Sequence, residues 1–410
     1  MRNLKRALSL ALAAIMLVGM MVVSASAASY NDLTDKDQIV NKDAVSMLVS
    51  LGIIEGKPDG SYGPTENVDR AQMAKMLSVI MNKGVDNSAL YQSVNSGLTD
   101  ITSNWAKGHI NYCYTTGIIA GRGNGTFDPS ATVTALEAAK MLLVAVGYDP
   151  KIEGFEGADW AINVSVRADE QGIFEGFTKD LSAPLNRDDA ALLIYNALDV
   201  EMIQSYTTNN YPIVYSDHRT ILSDKYGVIK VEGVVTANEW AILDDDTDTA
   251  LQEGKTRIYN PDGILSTTGN TAVAQDSSAN VKTQVFNVST PVDMLGKAVT
   301  MYVKKTTILA DSTVYGAPVV SDVNTVIETG EKVTGGDSKD DDSLAALLKG
   351  TGLATDKATE YYHNYEEVAI DSADVDDIMN VKGAALTVID NDNDGYVNYV
   401  ISVEKSLTHV

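Results

Sequence analysis

One helix-opening pattern occurs three times in the first half of the chain. It reads VDRAQMAKML at 68–77, VTALEAAKML at 133–142 and LNRDDAALLI at 185–194. Each copy follows an apolar-periodic segment that ends in Gly-Ile or Gly-Ile-Ile at Gly52, Gly117 and Gly172. A chain that repeats a helix–turn–helix unit at this spacing buries its apolar faces by stacking one unit against the next. The repeats therefore constrain the fold more tightly than any other feature.

The turn chemistry agrees with this. The three glycines stand where a first helix stops in a left-handed cap. PDG at 58–60 and GNG at 123–125 are tight-turn sequences. Thr134 with Glu137 forms a T-x-x-E capping box, and Asp69 with Gln72 and Asn186 with Asp189 are weaker forms of it. Arg70 and Arg187 then fall in the first turn of their helices, whereas the middle copy has Ala135 at that position.

An arginine beside a helix N-terminus suits a carboxylate or phosphate, and pairing with a neighbouring unit's carboxylate is the structural alternative. Other basic positions recur with it. Lys57 and Arg122 follow equivalent glycines, and Lys75 and Lys140 lie five residues beyond the arginine position. Trp105 and Trp160 open the first helices of units two and three, as packing residues or as a rim against a sugar ring.

Composition bounds what such a chain can meet. Residues 1–27 have a basic start, an apolar run and an A-x-A ending, the layout of a cleaved secretory signal peptide; an uncleaved anchor is the alternative. Cleavage takes the formal net charge from −25 to −28. This acidity argues against nucleic acid and against an anionic membrane as partners, and an acidic polymer would need a local basic site. The single cysteine, Cys113, lies in a helical pattern and reads as a small buried apolar residue.

Near residue 203 the sequence changes from helical periodicity to alternating, Val- and Thr-rich runs such as GVIKVEGVV and AALTVID, read as strands. The expected domains are 28–86, 87–150 and 151–203 as repeats and 204–410 as a β-rich region. An acidic loop is expected at 334–343 and a solvated turn at DDDTD, 244–248. Asp390, Asp392 and Asp394 with Gly395 form the first half of a calcium loop, but Ile401 stands where an EF-hand needs glutamate. A solvated hairpin turn and a calcium-bearing hairpin loop are the two readings. The four histidines show no metal-ligand spacing, and no nucleophile motif is present.

The three units resemble S-layer homology (SLH) repeats, on the segments GIIEGKPDGSYGPTENVDRAQ and GIIAGRGNGTFDPSATVTALE and on LNRDD. The resemblance covers residues 29–203. It implies a pseudo-three-fold helical assembly, followed here by the β-rich region, in a wall-anchored or S-layer protein. It further implies that grooves between repeats hold pyruvylated, acidic sugars of a secondary cell-wall polysaccharide, with the motif arginine on the acidic group. Other S-layer subunits are a further expected partner, and no membrane is expected after signal cleavage. Three departures stand out: no tryptophan in repeat one, Ala135 in repeat two, and GFTKDLSAP in place of the glycine turn in repeat three. They predict unequal grooves dominated by Arg70 and Arg187, with the middle repeat kept mainly for structure. The expectation is a non-enzymatic surface protein. The alternative is an anchored polysaccharide-binding module or glycoside hydrolase in 204–410, where Trp240 is the only tryptophan.

Overall fold

The computed structural model describes residues 30–243, 250–261, 263, 282–304, 312–328, 344–368 and 384–404. The leader, the DDDTD run and the acidic stretch 334–343 lie outside the described residues. The chain divides into two compact units at 214/215. This is beyond residue 203 because a hairpin of β1 (Ile203–Tyr206) and β2 (Pro212–Val214) belongs to the helical unit. The Tyr206 hydroxyl fastens it, accepting from the Asp149 N–H at 2.9 Å and donating to Glu153 at 3.0 Å.

The first unit contains α1 (Lys42–Ser50), α2 (Arg70–Met81), α3 (Lys107–Thr115), α4 (Ala135–Val146), α5 (Trp160–Glu170) and α6 (Arg187–Leu198). The local signals hold. Asp69/Gln72 and Thr134/Glu137 form complete capping boxes. Asn186 accepts from the Asp189 N–H, but Asp189 turns to Lys179 at 2.5 Å instead of reaching back. Gly52, Gly117 and Gly172 end the first helices at φ +69°, +81° and +68°.

The repeats are interleaved. The second helix of each repeat packs on the first helix of the next: α2 on α3, α4 on α5, and α6 back on α1. The segments just before the second helices close a ring. The Val68 N–H donates to the Leu185 carbonyl at 2.8 Å, Leu185 to Val133 at 2.8 Å, and Val133 to Val68 at 2.9 Å. Buried Asp188 of repeat three accepts from the Val40 and Asn41 N–H groups at 3.2–3.3 Å, capping α1 across the ring. Around this hub, Met47, Leu48, Met73, Leu77 and Ile80 are almost fully buried. Cys113 lies in the same interior; its Sγ is 3.4 Å from the Ala74 carbonyl, and burial pushes its thiol pKa up.

The second unit holds two five-stranded sheets. The first is antiparallel and built on β3 (Val228–Ala237) and β6 (Ala298–Lys304); with β4 (Thr256–Tyr259), β5 (Thr283–Phe286) and β7 (Val314–Val320) its order is β5-β4-β3-β6-β7. In the second, β11 (Ala384–Asp390) and β12 (Tyr399–Glu404) are antiparallel, and β12 pairs in parallel with β9 (Glu360–His363). With β8 (Thr325–Glu328) and β10 (Glu366–Glu367) its order is β10-β9-β12-β11-β8. One apolar core joins them: Val231, Ile258, Phe286 and Met301 from the first sheet meet Tyr362, Ile389 and Ile401 from the second. The short helix α7 (Leu344–Leu348) packs on another cluster, around Leu386 and Val400. The architecture is thus a helical repeat unit followed by a β-rich one. Among the described residues no helix is long and apolar enough to cross a membrane.

Candidate functional site: two inter-repeat grooves

Interleaving gives each groove contributions from all three repeats: an arginine from one, the glycine turn and second helix of the next, and the tryptophan of the one after. Groove A has a volume of about 570 Å³ and holds Arg70, Arg122, Lys140 and Trp160. Groove B, about 210 Å³, holds Arg187, Lys57, Lys75 and Trp105. The eight residues singled out from the sequence therefore fall four to a groove.

Arg70 is 4 % exposed. Its Nε donates to the Phe127 carbonyl at 2.8 Å and its Nη2 to Ala120 at 2.9 Å, and its guanidinium stacks 4.4 Å from the Phe127 ring. Burial, with help from Arg122, lowers its pKa to about 10, so it remains charged at neutral pH. Arg187 repeats the geometry on repeat one: Nε to the Tyr62 carbonyl at 2.8 Å, Nη2 to Glu55 at 3.5 Å, and a Tyr62 ring at 4.7 Å. Stacked on a ring and bonded to fixed carbonyls, each guanidinium is pre-organised.

The helix ends themselves are not open anion sites, so the helix N-terminus adds no free backbone donors to the arginine beside it. The Arg70 and Ala71 N–H groups donate to Ala131 (2.9 Å) and Pro129 (3.0 Å), and those of Arg187 and Asp188 to Glu66 (2.8 Å) and Pro64 (3.1 Å). The neighbouring repeat consumes these donors to close the ring, so the charge offered to a ligand is that of the side chains.

The remaining positions differ between grooves. In groove A, Arg122 bonds Glu137 at 3.0 Å, and the Lys140 ammonium sits 5.6 Å over the half-buried Trp160 ring. Burial lowers the Lys140 pKa. In groove B, Lys57 pairs with Glu66, Lys75 is 3.9 Å from Glu55, and Trp105 is 57 % exposed at the rim. Trp105 packs edge-on to buried His109, whose Nδ1 meets Ser78 Oγ at 2.8 Å.

The third inter-repeat position unites the three departures. Counting from the helix-ending glycine, Val40 takes the tryptophan's place, twelve residues before Gly52 as Trp105 is before Gly117. Ala135 takes the arginine's place and Leu192 the lysine's. The Glu175 carbonyl, equivalent to those of Glu55 and Ala120, accepts from Asn196 at 2.9 Å instead of from a guanidinium. Substitutions scattered over three repeats thus converge on one position, leaving the other two intact. The middle repeat supplies Arg122, Lys140 and Glu137 to groove A and Trp105 to groove B.

Two residues that support the grooves were missed in the sequence. The Asp35 carboxylate accepts from the Tyr62 and Gly63 N–H groups at 2.7 and 2.8 Å; Asp100 accepts from Phe127 and Asp128 at 2.9 and 2.7 Å. They clamp the turn segments whose Tyr62 and Phe127 carbonyls hold the arginines. The signal was present as Leu-Thr-Asp at 33–35 and 98–100. Both carboxyl pKa values are lowered: burial raises them, and the two backbone donors outweigh it.

In the second unit, Asp390, Asp392 and Asp394 lie together in the loop after β11, with one oxygen from each within 4.8 Å of the others. Both oxygens of buried Asp390 already accept backbone N–H groups, from Asn393 at 2.8 Å and Gly395 at 3.1 Å among others. Burial and then Asp394 raise the Asp392 pKa. Ile401, at the EF-hand glutamate's place, is buried in β12. A separate cleft of about 390 Å³ carries Glu360, Glu367 and three tyrosines. Both of its carboxylates are exposed, and Trp240 is 65 % exposed.

The helical unit is thus a ring of three interleaved repeats with two basic, aromatic-rimmed grooves. The chain carries an S-layer homology domain: the S-layer homology domain family model matches residues 29–74 and 97–139, in repeats one and two, and the matches below support an SLH-domain cell-surface protein. The chain is 26 % identical over 404 residues to a "Cell surface protein" of Thermoanaerobacter kivui, covering 98 % of this chain and 45 % of that one. An "S-layer protein" of Bacillus licheniformis is 34 % identical over 113 residues, 28 % of this chain and 12 % of the relative. A "Middle cell wall protein" of Brevibacillus brevis is 29 % identical over 161 residues, 39 % and 15 % of the two chains. The chain spans less than half the length of these curated relatives. The matches support a secreted protein of the cell wall or S-layer.

Proposed function

We propose that the helical unit holds this protein on the bacterial wall without a covalent bond, by binding acidic, pyruvylated sugars of a secondary cell-wall polysaccharide in grooves A and B. The observation that carries this reading is the convergence of an arginine, a second-helix lysine, a turn cation and a tryptophan in each groove, drawn from three repeats. A guanidinium held by backbone carbonyls meets a carboxylate with little loss of side-chain freedom, and an indole face covers the apolar face of a sugar ring. An acidic protein approaching an acidic polymer is repelled at long range, so affinity must come from these local cations at short range. Self-association with other S-layer subunits and a structural, non-enzymatic role for the β-rich unit complete the proposal.

The test is retention of the full chain on purified sacculi before and after removal of pyruvate. Retention is expected on native sacculi and loss on depleted ones; equal retention on both would remove the acidic sugar from the mechanism.

A further inference from the structure

The glycine turn of repeat two holds Asn124 before Gly125, the only asparagine among the 410 residues that is followed by glycine. Asn124 Oδ1 accepts from the Thr126 N–H at 3.1 Å and from the Thr126 hydroxyl at 2.6 Å. The ring closed by the first of these bonds encloses the Gly125 peptide and keeps Asn124 Cγ beside the Gly125 nitrogen. Among the described residues the Gly125 N–H donates to no acceptor, whereas the equivalent Gly60 N–H of repeat one donates to the Lys57 carbonyl at 2.8 Å. Asn124 and Gly125 are both exposed, and no atom lies within 4 Å of where a Gly125 Cβ would stand. Repeat one carries an aspartate at this position. Asp59 Oδ1 accepts from the Ser61 N–H at 2.9 Å and from its hydroxyl at 2.7 Å, so a carboxylate closes the same turn. The Ser61 hydrogen bonds lower the Asp59 carboxyl pKa, and the charge of Lys57, the counterpart of Arg122, adds to this.

We propose that Asn124 is a self-modification site: it deamidates in the folded chain, and the aspartate so formed puts a carboxylate beside the turn cation of groove A. The Gly125 nitrogen gives its proton to solvent base and attacks Asn124 Cγ. A Cγ–N bond forms, the Cγ–Nδ2 bond breaks, and Nδ2 takes up a proton and leaves as ammonia, giving a cyclic imide. The step is favoured here because glycine has no Cβ to shield its nitrogen. Water then opens the ring. Attack at Cγ restores the backbone and leaves aspartate; attack at the Asn124 carbonyl carbon leaves isoaspartate, whose backbone runs through Cγ. Aspartate fits the turn as it stands, as Asp59 does in repeat one. Isoaspartate lengthens the backbone by a methylene and takes the Oδ1 acceptor away from Thr126. The Thr126 carbonyl holds the Arg122 N–H at 2.8 Å and the next carbonyl, of Phe127, holds Arg70 at 2.8 Å, so the loosening reaches both arginines. Either product weakens the hold of groove A on an acidic ligand, a consequence that rests on the wall-polymer reading above.

The test maps the full chain, fresh and aged in buffer, by mass spectrometry of its peptides, with isoaspartate counted by enzymatic methylation. Asn95 is the internal control. It is exposed, its Oδ1 accepts from the Gly97 N–H at 3.0 Å in the same kind of turn, and Ser96 follows it. Asn124 is expected to deamidate on the order of tenfold faster than Asn95, at a rate that rises with pH. Equal rates at the two positions, or an Asn124 that stays intact on ageing, would overturn the proposal. Retention on native sacculi is read on the same samples. The aged chain and Asn124→Asp are expected to bind about two- to fivefold more weakly than the fresh chain. Asn124→Ser, whose hydroxyl can close the same turn, is expected to bind equally before and after ageing. Melting curves check that both variants fold. If the deamidated chain and Asn124→Asp bind as the fresh chain does, while pyruvate removal still releases all three, the consequence for groove A is overturned and the wall-polymer reading stands.

Discussion

At the residue scale, each groove depends on a chain of support that ends in a guanidinium. Asp35 and Asp100 hold a turn by its N–H groups, the turn presents a carbonyl, and the carbonyl aims the arginine. Their lowered pKa values give this support a pH sign. A carboxyl group with a folded pKa below its unfolded value of about 3.9 stabilises the fold above that pH and loses the contribution as pH falls through the folded value. His109 acts in the same direction at higher pH. Burial lowers its pKa, opposed by Asp86 and aided by Lys75, so the unfolded chain takes up a proton first, from about pH 6.5 downward. Thermal melts are therefore expected to be level above neutrality, to decline below about pH 6.5, and to fall again below about pH 4. His109→Gln should remove the first decline and keep the second; a melting temperature that rises on acidification would contradict both assignments. For binding, Arg187→Ala should weaken retention of the full chain on sacculi by tenfold or more, the scale of a lost charge-assisted contact. An unchanged affinity would place the acidic sugar elsewhere.

At the element scale, close packing of the repeats leaves little room. Gly108 opens α3 against a short helical turn, and a Cβ there would come within 2.1 Å of the Ser88 carbonyl oxygen. Gly108→Ala is expected to cost about 1–3 kcal/mol in denaturant unfolding, as overpacking does; a neutral result would mean the turn at 88–91 moves freely. Cys113 in the same helix should resist thiol reagents until the chain unfolds, because it is buried and its thiolate is disfavoured. These elements were legible in the sequence because their signals are local: capping boxes at Asp69 and Thr134, glycine caps, and apolar periodicity. The grooves were only half legible. Arg70, Arg122 and Lys140 could be named from recurrence alone. Their assembly could not, because a helix packs on the helix of the following repeat and brings Trp160 to Lys140 and Arg187 to Tyr62. The same interleaving hid the meaning of Val40, Ala135 and Leu192, which look like unrelated losses until the ring closes. The order of the β strands was equally beyond reading, since strand pairing such as β12 with β9 is set by contacts far apart in sequence.

At the scale of the molecule, a helical unit with two basic grooves is joined in sequence to a β-rich unit with its own core. The aspartate loop in the second unit is organised by its own backbone, with both Asp390 oxygens accepting N–H donors. Millimolar calcium is expected to leave the melting curve of the full chain unchanged; an upward shift would put a cation among Asp390, Asp392 and Asp394. Attachment through the two grooves is tested most directly by the affinity of the full chain for native sacculi, compared with that of the Arg187→Ala, Lys140→Ala double variant. Groove-borne attachment predicts that the double variant, still folded by its melting curve, is released from native sacculi and that pyruvate removal then has no further effect. Full retention of the folded double variant would contradict it.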